Sequence, residues 1–144
     1  MKKLFMILFV AMATLTATSC GKLDQRDDYV GDYSLKIHGE FAFENGQGRT
    51  LDLDNLELHI AKASEKFRLD ITGFYTCKAT VVGEVITLDD IRITNNNGGL
   101  SSDFVVRGSN GLFVDNTLTF VNEMTGTIDG MGFDGWLSNE AVKK

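Results

Sequence analysis

Residues 33–46 read YSLKIHGEFAFENG, and their periodicity decides the fold. Tyr33, Leu35 and Ile37 alternate with Ser34, Lys36 and His38, and Phe41 and Phe43 carry the same phase to the turn signal Asn45-Gly46. Side chains two apart share one face of a strand, whereas a helix repeats its apolar residues every three or four positions. The alternation predicts a half-buried strand. Leu51 and Leu53 resume the pattern, which then shifts by one to Leu56, Leu58 and Ile60. One extra residue near Asn55 produces that shift, so a β-bulge is expected there.

The same period runs on toward the C-terminus. Phe67, Leu69 and Ile71 read as a third strand and Phe74 to Val82 as a fourth, with Gly83-Glu84 a tight turn into Val85 to Ile93. Thr94 to Asp103 holds three Asn and two Gly and reads as a loop. Phe104 to Arg107 is a short strand, ended by Gly108-Ser109-Asn110-Gly111. Leu118 and Phe120 begin a longer strand running to Ile128, and Asp129-Gly130 fits a type I′ hairpin turn into Met131 to Leu137. Only Ala61 to Lys66 could be helical, and a helix that short is not stable alone. The predicted fold class is therefore all-β, an antiparallel up-and-down meander of about eight strands over residues 30–140. Short connections close such a meander most simply into a barrel. The alternative, a sandwich, needs long Greek-key crossings that these turns do not provide.

Upstream of the barrel the alternation stops. Lys2 and Lys3 precede an unbroken apolar run from Leu4 to Ala13. Ten residues of helix rise only about 15 Å, half of a hydrocarbon core of about 30 Å, so the run reads as a secretory signal and not a membrane span. Small residues then lead to Ser19-Cys20-Gly21, which resembles the lipobox of bacterial lipoproteins, with Ala17 where Leu is usual, as in the relaxed lipoboxes of Bacteroidetes. The resemblance implies cleavage after residue 19 and a diacylglycerol on Cys20. Residues 20–29 are polar and aperiodic, a lipidated tether whose acids Asp24, Asp27 and Asp28 loosely resemble the surface-export signal of such lipoproteins.

Composition narrows the function. The 144 residues suit one domain, and a net charge of −6 with a pI near 4.8 argues against nucleic acid as partner, because phosphate binding needs clustered Lys and Arg. Loss of residues 1–19 removes two lysines and no acid, so attachment to an anionic membrane would rest on the lipid. With Cys20 lipidated, Cys77 has no partner within the chain and reads as a buried, inert thiol.

Val30-Gly31-Asp32-Tyr33 resembles the Gly-x-Trp opening of lipocalin-type barrels, with Tyr33 in the aromatic place. Residues 125–133, TGTIDGMGF, resemble the last hairpin of small calycin-like lipoproteins from Bacteroidetes. The resemblance implies a calycin-like barrel over most of residues 30–137. Tyr33 replaces Trp, and no Arg follows on the last strand. Ligand binding is accordingly read from barrel size and aromatic content. Tyr33, Phe41, Phe43, Phe67, Phe120 and Phe133 are the expected interior residues, with Tyr33 plugging the closed end. They would either line a pocket for a small apolar ligand such as a fatty acid or sterol, or fill the interior entirely. In the second case the solid barrel would act as an interaction or structural module for an envelope protein partner.

Catalysis, metals and cofactors find little support. No Gly-x-Ser-x-Gly elbow and no Cys–His pair is visible, and the glycine-rich segments lack the strand–turn–helix setting of phosphate loops. If Ile37 faces Leu58, His38 lies near Glu57 and His59 near Lys36, a solvated surface pair more than a zinc site. Asp52, Asp54, Asn55 and Glu57 alternate with leucines and spread along a strand, and Asp89-Asp90 is read as solvated charge. A non-catalytic lipoprotein of the outer membrane is the expectation.

Overall fold

The computed structural model describes residues 24–96 and 99–144. The expected signal peptide and Cys20 lie outside the described residues. Ten strands follow in order: β1 Gly31–Phe43, β2 Gly48–Lys62, β3 Arg68–Gly73, β4 Cys77–Val82, β5 Val85–Leu88, β6 Ile91–Asn95, β7 Ser102–Val106, β8 Asn110–Val114, β9 Thr117–Ile128 and β10 Met131–Lys143. All pairings are antiparallel, and the described residues contain no helix.

Eight strands close into a barrel, β1–β2–β3–β4–β5–β8–β9–β10, with β10 returning to β1. The chain climbs this ring in sequence order, interrupted by one excursion, the β6–β7 hairpin. The bulge falls where the phase shift places it: Leu35 faces Leu56 and Ile37 faces Leu53, so three residues of β2 oppose two steps of β1, with Asn55 in the left-handed region (φ 56°). Asp129 and Gly130 both take positive φ (50° and 75°), as the type I′ turn requires. A second such turn, Asp115-Asn116, joins β8 to β9, and the sequence reading missed it together with β8 itself.

The strand expected from Val85 to Ile93 is broken in two. Asp89 is held by Arg68 (2.5 and 3.0 Å), while Asp90 accepts from the Gly108 amide (2.6 Å) and from Arg107 (3.2 Å). These acids clamp the point where β6 leaves the line of β5, and they are not the free solvated charges expected from sequence. The facing strand breaks at the same level, because Gly108 lies so close to the Leu88 carbonyl that a Cβ would collide with it. β8 and β7 consequently lie end to end along one edge of β9, which pairs Thr117–Phe120 with the former and Met124–Ile128 with the latter.

The barrel thus has two unlike halves. Around the N-terminus of β1 the ring is hydrogen-bonded throughout. Around its C-terminus the wall is β6–β7–β9–β10–β1–β2, six strands whose outer members do not pair with each other. β2 pairs with β3 only from Leu58 to Lys62, so its first residues have β1 on one side and no described strand on the other. Ile91–Thr94 likewise have only β7 beside them. A seam results.

Candidate functional site

In the closed half, Tyr33, Leu35, Ile60, Leu69, Ile71, Val81, Ile86 and Leu118 are all at most 1% exposed. Inward alternation brings each into the axis, where they leave no hollow. The segment before β1 caps this pole. Arg26, gripped by Asp24 (2.6–3.1 Å), donates to the carbonyls of Ala63, Glu65 and Arg68 (3.0–3.1 Å) across the β2–β3 connection. That grip holds the Asp24 carboxyl far below its ordinary pKa. Tyr29 is buried beneath it, its ring 5.2 Å from that of Phe113, and its carbonyl accepts from the Tyr33 hydroxyl (2.6 Å). Of the expected tether 20–29, residues 24–29 are therefore packed on the barrel, because Arg26 and Tyr29 find hydrogen-bond and ring partners there.

A buried polar layer separates the halves. The Tyr75 hydroxyl donates to Asn139 Oδ1 (2.9 Å), and Asn139 Nδ2 donates to Asn122 Oδ1 (2.9 Å) and to the Phe120 and Leu137 carbonyls (both 3.2 Å). Asn122 in turn donates to the Arg107 carbonyl (2.8 Å), satisfying the backbone where β7 breaks from β8. Burial raises the Tyr75 pKa well above its ordinary value, so the phenol stays a donor. No buried side-chain nitrogen or oxygen among the described residues lacks a partner.

Above this layer the barrel is hollow. A cavity of about 200 Å³ is lined by apolar atoms alone. Phe133 is its hub: the Phe41, Phe43 and Phe104 rings pack around it at centroid distances of 6.2, 5.9 and 5.5 Å. Gly135 makes this possible, since a Cβ there would run into the Phe41 ring. Leu51 on β2 and Ile93 on β6 line the cavity from the two sides of the seam, and half-exposed Phe74 lines it from the β3–β4 connection. Tyr75 contributes only its apolar ring, its hydroxyl being turned into the polar layer.

The six expected interior residues divide. Phe41, Phe43 and Phe133 line the cavity. Tyr33 and Phe120 are buried, but in the solid part of the core. Phe67 is a correction. It has φ 64° in the β2–β3 connection and lies 47% exposed under the Lys66 ammonium, because the strand begins one residue later, at Arg68. Ile93, Phe104 and Ile128 also line the cavity, each on a run that the sequence marks as strand.

The histidine register also differs from the conditional one. Tyr33, not Ile37, faces Leu58, so His38 pairs with Asp52 and His59 with Asp32, each at 2.5 Å. The two imidazoles lie at separate levels of the outer face. Among the described residues no group of three or more His, Cys, Asp or Glu is arranged to hold a metal ion. Cys77 is partly buried, and burial pushes its thiol up to about 11, so the thiolate is scarce at neutral pH. A larger hollow of about 750 Å³ is an open groove on the outer face beside Glu40, Glu123 and Trp136, with mixed polar and apolar walls.

Compared with protein-family models, curated proteins and solved structures, the chain matches none. The antiparallel barrel and its two unlike halves therefore rest on the chain itself.

Proposed function

We propose that the chain is a lipid-anchored, non-catalytic binding protein of the bacterial outer membrane, with a calycin-like barrel that takes a small apolar ligand through the seam. The observation that carries this reading is the cavity under the seam, apolar throughout and bounded by two strand edges that nothing described covers. Its size constrains the ligand. Pockets that engulf drug-sized molecules span roughly 300–1,000 Å³, while about 150 Å³ suffices for benzene. The cavity at 200 Å³ fits a short acyl stretch or a single ring, not a sterol.

The lipobox-like Ser19-Cys20 supports the anchor, and the fold gives that anchor a direction. The chain enters the barrel at the capped pole, so a lipid on Cys20 would leave the seam and the Asp129-Gly130 turn facing away from the membrane. A second reading has one observation in its favour. The free edges of β2 and β6 offer unpaired backbone groups to an extended segment of an envelope protein.

Native mass spectrometry on the purified chain tests the first reading. A discrete mass excess that denaturation removes, and that Ile93→Trp abolishes by filling the cavity, is the expected result. An unliganded mass that persists after incubation with a lipid extract overturns it and leaves the strand-pairing reading.

A further inference from the structure

Four of the five described arginines are each held by an aspartate: Arg26 by Asp24, Arg68 by Asp89, Arg92 by Asp103 and Arg107 by Asp90. The fifth, Arg49, makes no side-chain hydrogen bond or ion pair among the described residues. In a chain with 20 acidic and 14 basic side chains, a guanidinium without a carboxylate is the exception.

Its position gives the exception meaning. Arg49 stands directly opposite Phe41 in the β1–β2 register, and opposed residues of an antiparallel pair project from the same face. Leu51, two residues along, shares that face. Phe41 and Leu51 both line the apolar cavity. Arg49 is therefore on the cavity side of the wall, about 7 Å nearer the open pole than Leu51 at ordinary strand rise, and exposed to solvent. The neighbouring acids belong elsewhere. Glu40 and Asp52 alternate to the outer face, where Asp52 is taken by His38, and the Glu44 carboxylate lies against Gly132.

We propose that the cavity takes a single-chain carboxylate amphiphile, its acyl chain among the phenylalanines and its carboxylate on Arg49. This rests on the ligand-binding reading above and sharpens it. A guanidinium matches a planar carboxylate with two parallel hydrogen bonds, which favours that head over an alcohol or amine. Scaling from benzene, six carbons in about 150 Å³, the cavity suits a chain of roughly eight carbons.

Isothermal titration of the purified protein with octanoate and with 1-octanol tests the proposal. Octanoate should bind about fivefold more tightly than octanol, the strength of a good solvent-exposed ion pair. Arg49→Gln should remove that preference by weakening octanoate alone. Lys36→Gln, which removes the same charge from the outer face of β1, should leave it intact. High salt should narrow the preference in the unaltered protein without touching octanol, a check independent of any variant. Equal affinities in the unaltered protein, or an equal effect of Lys36→Gln, overturn the carboxylate site while leaving the cavity. Binding of neither probe overturns the cavity reading and this proposal with it.

Discussion

Around Tyr33 eight strands hydrogen-bond in a complete ring, and their inward side chains fill it. Around Phe133 six strands wrap the axis, two edges stay unpaired, and a hollow remains. Four long strands, β1, β2, β9 and β10, run through both halves, so the difference is made by the shorter ones. In the closed half β3, β4, β5 and β8 complete the circle. In the open half the β6–β7 hairpin stands in for all four and falls short of β2. Closure buries backbone as well as side chains, whereas the seam leaves ladder groups of β2 and β6 without a strand partner. One half holds the fold and the other leaves an apolar hollow.

The widest gap between the halves should appear on truncating an aromatic ring in each. Tyr33→Ala removes a fully buried ring and the hydrogen bond to Tyr29, and should cost about 3–5 kcal/mol in urea denaturation. Phe41→Ala, beside the cavity and partly exposed, should cost less than half of that. A loss below about 0.5 kcal/mol for Tyr33→Ala, the surface norm, would show that the closed half is not the core. Next in size is the layer between them. Asn139→Ala strands the Tyr75 hydroxyl and Asn122 Oδ1 and should cost about 2–3 kcal/mol, the range for buried polar groups left unpaired. Tyr75→Phe should cost less, because it orphans one acceptor.

Continuous strands were legible in the sequence and the points where strands break were not, for a physical reason. Alternation at Tyr33, Leu35 and Ile37 and at Leu56, Leu58 and Ile60 reports strands buried on one face, and the Asn55 bulge shows as a change of phase. Such signals survive wherever strands are continuous. The open half depends on where strands break. Asp89-Asp90 looks like ordinary surface charge until Arg68, Arg107 and the Gly108 amide are brought to it from elsewhere in the chain. The buried Asn122 and Asn139 were unreadable for the same reason: a polar residue in an inward phase shows no partner until the sheet closes. Phe67 failed differently, since the phase of a strand was extended one residue beyond its start.

Overpacking compares the halves at equal chemistry. Ile71→Phe adds volume to a filled core and should cost about 1–3 kcal/mol. Ile93→Phe adds the same volume beside a hollow and should stay within about 0.5 kcal/mol while weakening ligand binding. Equal costs at both positions would mean that the cavity is closed by packing in solution, and would break the contrast at its centre.

Alkaline pH gives the finest comparison, because the tyrosines belong to the closed half and the polar layer, while the cluster around Phe133 is all phenylalanine. Burial pushes the Tyr33 phenol from 10.0 up to about 12, and its hydroxyl donates to the Tyr29 carbonyl, a bond that a phenolate could not make. The folded state therefore binds this proton more tightly than the unfolded chain does. The resulting stability is complete below pH 10 and is lost as pH rises from the unfolded value toward the folded one. One pH unit above the unfolded value, the loss from Tyr33 is about 1.4 kcal/mol. Tyr29 and Tyr75 are raised as well, chiefly by burial, and add to the slope in the same direction. Denaturation midpoints should thus fall steeply from pH 10 to 11, and Tyr33→Phe should make that fall shallower without abolishing it. An unchanged slope in Tyr33→Phe would place this phenol in water when folded, against its position in the plugged end of the barrel.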